Sequence, residues 1–105
     1  MTLPFRRIEP FGVETGFDLS QPLAPSLAYH FAELLREHGV VVAAGQSPSE
    51  EAPDRLCALR PGTRALAAPD EVRGMVRPIH ANGDVLEHAW RAGDVIFWDE
   101  GRVWV

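Results

Sequence analysis

"PSLAYHFAELLREHGVVVAAGQ", residues 25–46, places a helix and a strand on either side of one glycine. Leu27, Phe31, Leu34 and Leu35 stand at i, i+4, i+7 and i+8, a single stripe, so the spacing predicts an amphipathic helix over residues 25–38. Ser26 is placed to cap its start, and Gly39 supplies the left-handed residue that ends it. His30, Glu33, Arg36 and Glu37 fall mostly on the wet side. The run Val40–Val42, with Ala43 and Ala44 behind it, lacks polar alternation and reads as a strand buried on both faces.

Outward from this unit the elements shorten. Upstream, "FRRIEPFGVETGFDLSQPL" (5–23) is broken by Pro10, Gly12 and Gly16 and reads as two short strands with a turn. Downstream, Ser47, Pro48 and Glu50 make a helix start, and Pro53 confines the next segment to a short helix around 54–60. "RPGTRALAAPDE" (60–71), with two prolines and a glycine, reads as loop. Asn82-Gly83 predicts a two-residue hairpin. "DVIFWDEGRVWV" (94–105) predicts a second hairpin, with Asp99-Glu100-Gly101 as its loop and Gly101 left-handed. The expected class is α+β: a small antiparallel sheet with one amphipathic helix packed on it.

The 105 residues suit one domain, and 46% hydrophobic with 24% charged residues is an ordinary globular balance. The net charge of −5 argues against nucleic-acid or anionic-membrane partners, which need a basic surface. All ten basic residues are arginine, a bias we assign to coding rather than to anion binding. No apolar run approaches the ~20 residues of a membrane span, and "MTLPFRRIEP" has no apolar core of a signal peptide. Cys57 stands alone, which excludes an internal disulfide, fits a cytoplasmic location and reads as a small core residue.

Two blocks resemble the taurine/TfdA-like Fe(II)- and 2-oxoglutarate-dependent dioxygenases. In the first, the matching positions are Gly12, Gly16, Asp18, Leu19, Ser20, Pro22, Leu23, His38, Gly39, Val40 to Val42, Gly45 and Gln46. In the second, "HAWRAGDVIFWDEGR" (88–102), they are Trp90, Gly93, Asp94, Trp98, Asp99 and Arg102, the last displaced by one residue. The blocks come in the family's order and cover roughly residues 8–60 and 88–102. The resemblance implies part of a jelly roll (double-stranded β-helix), strongly truncated and filling residues 1–105 as one domain. In the family an H-x-D/E pair and a distal histidine hold iron. Here His30, His38, His80 and His88 are followed two places on by Ala32, Val40, Asn82 and Trp90, and the sequence stops at Val105. The expectation is a retained scaffold without the chemistry.

A non-haem iron site needs two histidines and a carboxylate on one side of the metal. His80, Asp84 and His88 are the candidate metal set. A two-residue hairpin turns His80 to the face of Val76 and Val85, away from Asp84 and His88. The latter two stand about 13 Å apart on one strand. Both histidines then read as surface groups, and no catalytic residue is assigned. His38 reads as structural, near the last helical carbonyls, and Asp18 and Asp99 as turn residues holding backbone N–H groups. Trp90, Phe97, Trp98 and Trp104 read as core, or as a ligand patch if the sheet is open.

Three functions are compatible with these residues. The first is a degenerate, non-catalytic dioxygenase relative serving as a small binding or interaction module, without cofactor. The second is a taurine dioxygenase-like enzyme using Fe(II) and 2-oxoglutarate, its site completed by another chain. The third is a remnant with no small-molecule role. The closing strand, Val103, Trp104 and Val105, guarded only by Arg102, is the expected interface of a homodimer.

Overall fold

The computed structural model describes residues 3–16, 23–46, 55–67 and 74–105. Within them run β1 (Phe5–Arg7), β2 (Val13–Thr15), α1 (Pro25–His38), β3 (Val40–Ala43), β4 (Thr63–Ala67), β5 (Met75–Val76), β6 (Ile79–His80), β7 (His88–Ala89), β8 (Val95–Asp99) and β9 (Val103–Trp104). Residues 55–57 are also helical, the described part of the expected short helix, and Leu56 enters the core.

The predicted helix is present over residues 25–38, with Phe31, Leu34 and Leu35 buried. Its start differs from expectation. Ala24, not Ser26, is the N-cap, and no side chain caps the turn. Pro25 opens the helix, where its missing N–H costs nothing, and the Ala24 carbonyl accepts from both Leu27 and Ala28 at 2.9 Å. The end is as read: Gly39 has φ of 80° and returns its N–H to the Leu35 carbonyl at 2.8 Å.

The main sheet has the order β1-β2-β3-β8-β4. Only β2 and β3 pair in parallel, because α1 carries the chain back across the sheet between them. Every residue of β3 is buried, in keeping with its unbroken apolar run. Val41 and Ala43 of β3 and Val95 and Phe97 of β8 face α1. There the rings of Phe31 and Phe97 meet edge-on, 5.1 Å apart. Val40, Val42 and Ile96 face the other way, against Val76, Leu86 and Val103. These last three belong to a second, smaller layer built from the pairs β5–β7 and β6–β9 and the segment leading into β7. The result is an α+β arrangement of helix, mixed sheet and small antiparallel layer, an open piece of jelly-roll-like structure rather than a closed barrel. No described helix is long and apolar enough to cross a membrane.

Three local expectations are corrected. The first concerns "TRALA" (63–67), which is strand rather than loop and pairs along its length with β8, from Thr63 opposite Asp99 to Ala67 opposite Val95. Pro61 and Gly62 precede the strand instead of interrupting it, and an edge position tolerates weak strand formers such as Ala.

The hairpin at Asn82-Gly83 has three loop residues, not two. His80 donates to the Asp84 carbonyl at 2.8 Å, and Gly83 donates to the His80 carbonyl at 2.9 Å. Gly83 sits at φ 97°, the left-handed position of such a loop. One extra loop residue shifts the register by one and turns one arm over relative to the other. Val76 now opposes His88, and Ile79 opposes Val85. Val76, Pro78, Leu86 and His88 are buried, whereas Met75, Arg77, Ile79, Val85 and Glu87 are exposed.

The third correction is at the end of the sequence. β8 and β9 do not form a hairpin: β9 crosses to the small layer and pairs with β6, Ile79 opposite Trp104 and His80 opposite Val103. Gly101 is not left-handed. The turn is closed by Arg102 N–H to the Asp99 carbonyl at 3.0 Å, and the Asp99 side chain takes the Gly101 N–H. The proposed start at Ser47, Pro48 and Glu50, and Asp18, lie outside the described residues.

Candidate functional site

The polar centre of the molecule lies at the turn from β7 into β8. His88, expected on the surface, is buried by the register shift. Its Nε2 stands 2.8 Å from Asp94 Oδ2, and Asp94 is 1% exposed. The same oxygen accepts the Arg91 N–H at 2.9 Å, so the carboxylate folds back over its own turn. Asp94 Oδ1 is buried with no hydrogen-bond partner among the described residues. Arg91 reaches on to Glu14 on β2 at 2.9 Å, and Glu14 also holds Arg6 of β1 at 2.7 Å. A chain of alternating charges thus ties the β7–β8 turn to the far edge of the main sheet.

Gly93 explains why this turn needs its glycine. Its φ is 84°, and an added Cβ would come within 2.8 Å of the Gln46 carbonyl oxygen. Gln46 N–H in turn donates to the Gly93 carbonyl at 2.8 Å. The two blocks of resemblance, one closing at Gly45-Gln46 and the other built on Gly93-Asp94, therefore meet in space as a backbone clamp.

Asp99 holds a second clamp. Its Oδ1 accepts Gly101 N–H at 3.0 Å, and its Oδ2 meets Arg60 Nη1 and Arg102 Nε, each at 3.0 Å. Arg102 Nη2 continues to the carbonyl oxygens at the end of α1, that of Arg36 and that of Leu35, which also takes the Gly39 N–H. The turn role read for Asp99 holds, and the arginines add a helix anchor that no local spacing announces. His38 packs near Phe5, with Glu37 at 3.8 Å.

These groups predict the acid limit of stability. Burial pushes the Asp99 carboxyl up, but the Gly101 N–H, Arg60 and Arg102 outweigh it and leave it below its ordinary value. Burial likewise raises Glu14, and Arg91 and Arg6 bring it below its ordinary range. Burial lowers His38, against Glu37. In all three the unfolded chain binds protons more readily than the folded one. His38 contributes stability that starts to fade as pH falls through about 6.5, and the stability contributed by Glu14 and Asp99 is lost in turn below about 4.5. Urea midpoints should be flat above neutrality and fall in two stages on acidification. Asp99→Asn should be less stable at neutral pH and flatter on the acid side; an unchanged acid limb would show that Asp99 does not set it.

The candidate metal set is not brought together. His80 now shares a face with Asp84 and His88, which corrects its orientation. Its Nδ1, however, accepts the Asn82 N–H at 3.1 Å, and Asp84 Oδ2 is held by Asn82 Nδ2 at 3.2 Å. His88 lies four residues beyond Asp84, with Nε2 committed to Asp94 rather than to Asp84. No three His, Cys, Asp or Glu side chains among the described residues are grouped to hold a metal ion. They do not fit an iron centre.

Of the aromatic residues, Phe97 is fully buried, and Trp90 and Trp98 pack against the small-layer core. Trp104 is 58% exposed. Of the expected interface residues, Val103 turns inward and is buried, leaving Trp104 and Val105 outside. Cys57 packs against the helix-side core, as a small core residue does.

No family model matches the chain, and no curated protein matches it in sequence. Among solved structures it is similar to AAD-2, crystallised in complex with Mn(II) and N-oxalylglycine, at a TM-score of 0.70. The likeness covers 98% of this chain and 89% of that one, at 12% sequence identity. At this identity the likeness shows the fold alone, that of a dioxygenase jelly roll.

Proposed function

We propose that the chain is a non-catalytic relative of the dioxygenases that serves as a binding or interaction module. One observation carries this reading. Described motif residues hold structural positions: Asp94 is committed to the buried His88, Gly93 to Gln46, and Asp99 with Arg102 to the end of α1. None of them is left facing a common point where a metal and a substrate would meet.

The test is anaerobic reconstitution with Fe(II), elemental analysis and a succinate assay with 2-oxoglutarate. The expected result is no stoichiometric iron and no succinate. One iron per chain, lost on His88→Ala, would overturn the reading and support the alternative of an enzyme whose site another chain completes.

A further inference from the structure

The outward face of the small layer is apolar where a solvated sheet face is ordinarily polar. Ile79 is flanked across the strands by Val85 on one side and Trp104 on the other. Met75 lies farther along the same face, opposite Ala89. Exposure of the four large side chains runs from 42% at Val85 to 58% at Trp104. Between the Ile79–Val85 and Met75–Ala89 rows lie Arg77 and Glu87, paired at 3.8 Å and both more than half exposed.

This face is complementary to itself. Consider a two-fold axis along the strands, between the arm that carries Arg77 and Ile79 and the arm that carries Val85 and Glu87. It lays Ile79 of one copy over Val85 of the other, and Arg77 over Glu87, each contact made twice. Two sheet faces at the usual spacing of about 10 Å bring these side chains together. Trp104, one strand beyond Ile79, then covers the outer flank of the second copy's Val85, the place of an aromatic anchor. Joining the β9 edges about an axis perpendicular to the sheet gives neither Arg77 nor Glu87 a new partner. The charges therefore select the occupant and its orientation.

We propose that a second copy of this chain docks on this face about the in-plane axis. The proposal rests on the reading of the chain as an interaction module and names its partner. Sedimentation equilibrium at micromolar concentration should show a dimer. Arg77→Glu and Glu87→Arg should each raise the dissociation constant at least about tenfold, because each sets like charges face to face. Mixed one to one, the two variants should recover a heterodimer, since each carries the charges the other lacks; circular dichroism of each variant confirms that it is folded. A monomeric wild type, or a dimer indifferent to both charge reversals, would overturn the proposal. A dimer broken only by Trp104→Glu would also overturn it, placing the contact at the β9 edge. Iron binding would sink the functional reading and leave this dimer standing, so the two can fail separately.

Discussion

Replacing Asp94 by alanine is expected to cost about 3 kcal/mol, from two charge-assisted hydrogen bonds lost at a buried site. Asp94 Oδ2 receives both His88 Nε2 and the Arg91 N–H. The Arg91 side chain is half exposed and keeps Glu14 as a partner, but the His88 ring is enclosed between Val76, its cross-strand neighbour, and the edge of Trp90. Its polar nitrogen is then left without a partner. For a domain whose whole margin is of order 5–15 kcal/mol this is a large share. The effect should be asymmetric. His88→Phe combined with Asp94→Leu removes donor and acceptor together and should be less damaging than Asp94→Ala alone. Urea titrations of these variants beside the wild type decide it. A single variant within half a kcal/mol of wild type would show that water serves the pair as well as the pair serves itself.

Leu34→Ala should cost about 2–5 kcal/mol, the range for a large side chain removed from a packed core. Leu34 is 2% exposed and shares its cluster with Phe31, Leu35, Val41 and Phe97. α1 packs on the face of β3 and β8 that carries Val41 and Phe97, so the cavity would open where helix and sheet meet. A shift of the denaturant midpoint worth less than half a kcal/mol would mean that the stripe is not what holds the helix down.

What could be read from the residues depended on whether the deciding interaction was local. The helix, its glycine end and the doubly buried β3 were legible because a 3.6-residue stripe and an unbroken apolar run are properties of adjacent residues. β4 was not: Thr63–Ala67 has little strand character, and β8, roughly thirty residues away, makes it one. The hairpin was found at the right glycine with the wrong loop length, and that one residue moved His88 from surface to interior. The His88–Asp94 pair was missed for that reason. Its signal was present in the Gly93-Asp94 turn, since an aspartate after a left-handed glycine readily captures a nearby backbone N–H. The second hairpin failed because Val103 gains more by burial in the small layer than by pairing back on β8.

The strand order has a consequence for how the chain reaches this state. β3 lies at the centre of the sheet, yet its neighbour β8 arrives late: Val40 pairs with Trp98 and Ala43 with Val95. Closing that ladder spans loops of roughly fifty residues, and the entropy of closure is met before the pairing returns anything. Until then "VVVA" can be covered only by β2 and α1, with one edge bare. A short, uncharged, β-branched strand with an open edge pairs readily with other chains. The same apolar run that makes β3 the most secure strand of the folded protein makes it the most adhesive segment of the folding one, so refolding yield should fall as protein concentration rises.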